Sequence, residues 1–153
     1  MYRKKEVLRK LNTYRKILVT GGSGFIGSAV IRRLLIETNL DIFNLDKMGY
    51  ASDQTSISNI LEKLNFEDKK RYTLLEIDLA NAEDTDRAVK ECQPDLVLHL
   101  AAESHVDRSI NGPRIFLESN ILGTFNLLET CTRHYNSLND YKKKSFRFHH
   151  VST

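Results

Sequence analysis

Lys16-Ile-Leu-Val-Thr-Gly-Gly-Ser-Gly-Phe-Ile-Gly27 is the stretch on which the fold turns. It opens with a continuous apolar run, the pattern of a strand buried on both faces, and passes straight into glycines. Read from Gly22 the loop is G-x-G-x-x-G; read from Gly21 it is G-x-x-G-x-x-G. Both readings serve the same physics. A sharp turn needs a residue without Cβ, a pyrophosphate must approach backbone amides closely, and the last glycine lets a helix pack on the strand. Phe25 to Thr38 then shows Ile26, Ala29, Val30 and Leu34 in the three-and-four rhythm of a helix. Its N-terminus would offer unpaired N–H groups and partial positive charge to an anion. Asp46, 19 residues beyond Gly27 at the end of the next apolar run, completes the dinucleotide-binding pattern. A carboxylate there can accept from the 2′- and 3′-hydroxyls of a ribose, which favours NAD over a cofactor with a 2′-phosphate.

Outward from this loop the chain alternates strand and helix patterns. The expected strands are Lys16 to Thr20, Asp41 to Leu45, Arg71 to Ile77, Asp95 to Leu100 and Phe146 to Ser152. Between them lie expected helices at Phe25 to Thr38, Asp53 to Asn65, Glu83 to Cys92 and Arg114 to His134, the last with Pro113 just ahead of it. Connections of this length imply parallel strands joined by right-handed crossovers. The fold class is therefore α/β: a doubly wound, Rossmann-like parallel sheet of about five strands. Its C-terminal edge is expected to be incomplete, since nothing follows the fifth strand to cover it.

Composition sets the outer bounds. The chain has 153 residues, 41% hydrophobic, with 23 basic against 20 acidic side chains and two cysteines. That is one domain, large enough to bury a core without disulfides or metal. Seven of the basic residues fall between Arg3 and Lys16 against Glu6 alone, so the mild basicity belongs to the N-terminus and points to no nucleic acid. Residues 1–14 read as a basic arm and 15–153 as the NAD-binding domain. Cys92 and Cys131 show no paired spacing, in keeping with a reducing, cytoplasmic setting. No apolar run reaches the roughly 18 residues of a membrane span. His149 and His150 are neighbours on a strand and point to opposite faces, so no metal site is expected. Lys142 to Lys144 reads as a solvated turn.

The exit of the fourth strand reads His99-Leu-Ala-Ala-Glu-Ser-His-Val-Asp-Arg-Ser109, and the fifth strand reads Phe146-Arg-Phe-His-His-Val-Ser-Thr153. With the T-G-G-x-G-F-I-G loop and the Asp46-Lys47 pair, the sequence from about Arg15 to Thr153 closely resembles the nucleotide-sugar dehydratases of the extended short-chain dehydrogenase/reductase superfamily, the dTDP-glucose 4,6-dehydratases in particular. The resemblance implies a cofactor site built from Gly21, Gly24, Phe25, Ile26 and Gly27 at the pyrophosphate turn. Asp46, Lys47, Met48 and Gly49 would surround the adenosine ribose, and Asp78 and Leu79 the adenine. Asp78 reads equally as a cap for the helix after it. Leu100, Ala101, Ala102, Glu103 and Ser104 would run under the cofactor toward the nicotinamide, and Ser119, usually threonine in the family, would touch NAD. Ser104, His105 and Thr153 would meet the sugar nucleotide, Thr153 as the Ser/Thr of the catalytic triad. The loop Met48-Gly-Tyr-Ala-Ser52 departs from the family's L-T-Y-A-G.

In these enzymes hydride leaves sugar C4, water is eliminated across C5 and C6, and the hydride returns to C6. The family's further requirements are a Tyr-x-x-x-Lys and an Asp-Glu pair after the triad threonine. None of the six tyrosines is followed four residues on by lysine, and Thr153 is the last residue. The resemblance therefore implies a truncated cofactor portion, inactive alone, of an enzyme acting on dTDP-glucose. A stand-alone NAD-binding or regulatory module and a related nucleotide-sugar epimerase are the alternatives. His99 and His105 read as packing or hydrogen-bonding residues rather than bases, although the resemblance puts His105 near the substrate cleft. Phe116, Ile121, Leu122, Phe125, Leu127 and Leu128 read as the core stripe of the long helix. The resemblance adds that part of this stripe could form a homodimer contact.

Overall fold

The computed structural model describes residues 11, 13–105, 110 and 112–151. Its strands are β1 (Lys16–Thr20), β2 (Asp41–Asp46), β3 (Tyr72–Glu76), β4 (Leu96–His99) and β5 (Arg147–His150). All neighbours pair in parallel in the order β3-β2-β1-β4-β5, so the chain reverses direction across the sheet between β1 and β4. This is a doubly wound α/β sheet of Rossmann type. The helices are α1 (Phe25–Glu37), α2 (Thr55–Leu61), α3 (Phe66–Lys69), α4 (Ala82–Cys92), α5 (Pro113–Phe116), α6 (Gly123–Ser137) and α7 (Asp140–Ser145), with a π-helical segment, Leu117–Leu122, joining α5 to α6.

Alternation along β1 sorts two cores. Ile17 and Val19 pack with Ile31, Leu34 and Leu35 of α1 and Ile57 of α2, while Leu18 packs with Ala88, Val89 and Cys92 of α4 and Leu127 and Cys131 of α6. A strand covered on both faces has no polar side to show, which is why its sequence is apolar throughout. Leu11 and Tyr14 pack against the first of these cores, and the amides of Arg15 and Lys16 donate to the Asp95 carboxylate.

Several boundaries differ from the sequence reading. The helix expected over Asp53 to Asn65 is shorter, Thr55–Leu61, and a separate short helix follows it at Phe66–Lys69, where the Asn65 side chain accepts from the Asp68 amide as its cap. Lys142 to Lys144 form no turn; they sit in α7, capped in the same way by Asn139. The long helix begins at Pro113 itself and runs to Ser137, interrupted by the π segment. That interruption shifts the helix's phase. The stripe read as core is largely outward: Ile121, Leu122, Phe125 and Leu128 are exposed and only Leu127 is fully buried. The buried side of α6 is Gly123, Asn126, Leu127, Thr130 and Cys131. It is set by the loop beneath it, where Asn126 donates to the carbonyls of Leu79 and Ala80. Thr153 and most of the basic arm lie outside the described residues.

His99 is fully buried at the end of β4 and plays a structural part. The Thr20 hydroxyl oxygen accepts from the amides of Leu100 and Ala101, so its proton goes to Nδ1 of His99, 2.6 Å away. Nε2–H then donates to the Thr124 hydroxyl at 2.9 Å. Burial, and the nearby His150 whose ring stacks on it, lower the His99 pKa to about 4. The unfolded chain thus binds a proton near pH 6.5 that the folded chain refuses until about pH 4, and stability falls with acidification across that window. The expected contribution of this group is on the order of 3 kcal/mol. Urea unfolding between pH 7 and 4 should show a shallower pH dependence in His99→Gln than in the parent chain, together with lower stability at pH 8.

Candidate functional site

The loop between β1 and α1 lies at the point where the sheet reverses, at the C-terminal ends of the strands, where crevices form in open α/β sheets. Gly21 takes φ +66°, and a Cβ on it would lie 2.7 Å from the Ala101 Cα. A Cβ on Gly27 would lie 2.1 Å from the Gly21 carbonyl oxygen. These contacts draw the first turn of α1 against the strand ends. No side chain caps α1 and no acid sits in its first turn, so the N–H groups there have the cleft before them. That is an anion seat made of backbone.

A cleft of about 360 Å³ opens here. It is lined by Gly21, Gly24, Phe25, Ile26 and Gly27 of the loop and helix start, by Asp46, Lys47 and Gly49 after β2, and by Asp78 and Leu79 after β3. Leu100, Ala101, Ala102, Glu103, Ser104 and His105 after β4, and Ser119 of the π segment, close the other side. The structure thus gathers the residues singled out from the sequence at one place, with two exceptions. Met48 is absent from the lining: at φ 53° it folds the chain back so that its amide donates to Asp46, and its sulfur lies against Gln54. Thr153 lies outside the described residues.

Asp46 is nearly buried, and its carboxylate is held from three sides. Oδ2 accepts from the Ser23 amide at 2.9 Å, while Oδ1 accepts from the Met48 amide at 2.9 Å and the Ser52 hydroxyl at 2.7 Å. It therefore ties the glycine loop to the end of β2, and one lone-pair direction on Oδ2 stays open. Behind the loop, the Asn44 amide donates to the Ser23 hydroxyl and to the Tyr72 hydroxyl, which donates in turn to Gln54, and Gln54 reaches Ser23 as well. Burial raises the Tyr72 pKa, keeping the phenol a hydrogen-bonding group. Lys47 turns the other way from Asp46. Its ammonium pairs with the Glu103 carboxylate at 2.9 Å and donates to the Ser119 hydroxyl at 2.7 Å.

Asp78 is exposed, and its carboxylate accepts only from the Ala80 amide among the described hydrogen bonds; the cap of α4 is Asn81, which accepts from Glu83 and Asp84. His105 is exposed beside Tyr50, ring centroids 5.7 Å apart. Burial pushes the thiols of Cys92 and Cys131 up to about 12, so neither is a nucleophile at neutral pH. Sequence reading missed Asn120 and Asn126. The first clamps the backbone of Glu103 through both its N–H and C=O, and the second holds the loop at Leu79. Their signal would have been a polar residue on a helix face otherwise packed inward.

A profile of the GDP-mannose 4,6 dehydratase family matches residues 18–153. The chain belongs to that family. Within it and its neighbourhood, the chain is 50% identical over 138 residues to the dTDP-glucose 4,6-dehydratase of Shigella flexneri, covering 90% of this chain and 37% of that protein. Among solved structures it is similar to DesIV, a dTDP-glucose 4,6-dehydratase from Streptomyces venezuelae with NAD bound, at TM-score 0.67 and 33% identity over 78% of this chain and 36% of the other. It is also similar to the UDP-glucose 4-epimerase of Thermus thermophilus in complex with NAD, at TM-score 0.63 and 33% identity, again over 78% of this chain and 34% of the other. The chain spans little more than a third of the length of the dehydratases it matches.

The glycines separate by experiment. Gly27→Ala is expected to cost at least about 2 kcal/mol in urea unfolding, since the methyl meets backbone that cannot move aside. Gly49→Ala, whose nearest foreign atom would be the Lys47 Cε at 3.5 Å, should stay within about 0.5 kcal/mol of the parent chain.

Proposed function

We propose that this chain is the NAD-holding portion of a nucleotide-sugar 4,6-dehydratase, with dTDP-glucose as the sugar nucleotide. One observation carries the reading: residues spread from Gly21 to Ser119 converge on a single cleft whose floor is the glycine turn. The residues present fit a dinucleotide. At Gly21 and Gly27 a Cβ would meet backbone, so only glycine lets the turn be this tight; the open start of α1 suits a pyrophosphate, and Asp46 keeps an acceptor for a ribose hydroxyl. When bound, NAD supplies the means to take hydride from the sugar and return it, so that water is lost without net redox change.

The chain's own residues bind and orient. Gly21, Gly24, Phe25, Ile26 and Gly27 hold the phosphates; Asp46 and Gly49 face the adenosine ribose, where Met48 shapes the turn through its amide on Asp46 and Lys47 reaches across to Glu103; Asp78 and Leu79 flank the adenine. Leu100 to Ser104 and Ser119 flank the remainder of the cofactor, with Ser104 and His105 on the side where the sugar nucleotide enters. Thr153 is proposed as the triad hydroxyl. The 138 residues compared with the Shigella dehydratase, 90% of this chain, are 50% identical, which favours this reading over the epimerase, at 33% identity.

Two further elements belong to this reading. The outward apolar residues Ile121, Phe125 and Leu128 at helical spacing form a contact between two copies of the chain. Its setting is the cytoplasm, where two free thiols stay reduced. Among the described residues no helix is long and apolar enough to cross a membrane.

Asp46→Ala should weaken NAD binding by about 1 to 3 kcal/mol in calorimetry on a sample whose circular dichroism shows it folded; unchanged affinity contradicts the ribose role. The 153-residue chain alone, without Tyr-x-x-x-Lys, is expected to form no 4-keto sugar from dTDP-glucose. Measurable product would contradict that part of the proposal.

A further inference from the structure

Lys47 follows directly on the acid that is proposed to meet the adenosine ribose, and a cation at that corner would ordinarily attract a 2′-phosphate. Among the described residues that line the cleft it is the one lysine or arginine. Its ammonium, however, is directed elsewhere. The side chain ends on Glu103 and Ser119 across the cleft.

Glu103 is built to keep it there. The Asn120 side chain grips its backbone on both sides, accepting from the N–H at 2.8 Å and donating to the C=O at 2.9 Å. The Glu103 side chain is only 11% exposed and that of Lys47 32%. A carboxylate so far out of water is costly to leave unpaired, so the pair holds more firmly than a surface ion pair. Asp46 does not draw Lys47 back, because its carboxylate already accepts from the Ser23 and Met48 amides and the Ser52 hydroxyl and keeps only one direction on Oδ2 open. The ribose corner is therefore left with its acid, and the lysine next to that acid is neutralised on the opposite wall.

Resting on the cofactor reading above, we propose that Glu103 is a specificity-determining residue: by holding Lys47 across the cleft it denies a 2′-phosphate the lysine that directly follows Asp46 and strengthens the preference for NAD over NADP. The two groups act as a unit. Neutralising Glu103 releases Lys47 to the ribose corner, whereas removing Lys47 as well takes away what was released.

The test is calorimetric titration of the 153-residue chain with NAD and with NADP, for the parent, Glu103→Gln, Lys47→Met and the double variant, each checked for cooperative unfolding. The parent should favour NAD. Glu103→Gln should narrow the NAD-to-NADP affinity ratio by about tenfold, the scale of a charge-assisted hydrogen bond. The double variant should return the ratio to the parent's. A merely structural Glu103 would weaken both ligands alike and leave the ratio unmoved. If the parent binds NAD and the ratio in Glu103→Gln is unchanged, or if it narrows equally without Lys47, the specificity role is overturned and the cofactor reading stands. If the folded parent binds neither ligand, the cofactor reading itself is overturned, and this role with it.

Discussion

The contact between Gly27 and the Gly21 carbonyl is the constraint from which the cleft follows. With a hypothetical Cβ only 2.1 Å from that oxygen, α1 starts closer to β1 than any residue with a side chain allows. Closeness of this kind aims a helix N-terminus at the strand ends, and the positive φ of Gly21 turns the chain sharply enough to reach it. Ala101 closes on Gly21 from β4, so the same glycine also fixes how near the two halves of the sheet come at the reversal point. The crevice is a consequence of backbone packing, with side chains added around it.

Those side chains form a frame whose members come from distant parts of the chain. Asp46 ties the glycine loop to β2, Thr20 and His99 fix the exit of β4, and Asn126 holds the turn after β3. Each satisfies backbone groups that would otherwise be buried without partners. The Asn44, Tyr72, Gln54 and Ser23 network sits directly behind the turn and holds it from the far side. A preformed cleft of this kind leaves little ordering to be done when a ligand arrives.

Much of this is legible in the sequence because it is local. A run such as Ile17-Leu-Val19, apolar on every residue, can only be a strand with both faces covered, and the glycine spacing marks the turn after it. Asp46 and Asp78 are placed by the ends of their apolar runs, whereas Ser119 was marked only by the family resemblance; the structure brings all three to one cleft. The outward stripe of α6 was not legible, since the π segment at Leu117–Leu122 shifts the helix phase and no propensity announces it. The breaks at Asn65 and Asn139 rest on single caps that a hydrophobic pattern overlooks. The pairing of Lys47 with Glu103, 56 positions apart, depends on how β2 and β4 flank β1, and only the folded chain reveals it.

The central claim is that the glycine turn and the strand ends around it receive a dinucleotide, and amide chemical shifts of the labelled 153-residue chain titrated with NAD test it most directly. The account predicts saturable shifts concentrated at Gly21 to Gly27, at Asp46 to Gly49 and at Leu100 to Glu103, with the far ends of the strands unmoved. Shifts absent from a folded sample, or centred away from the glycine turn, would contradict it.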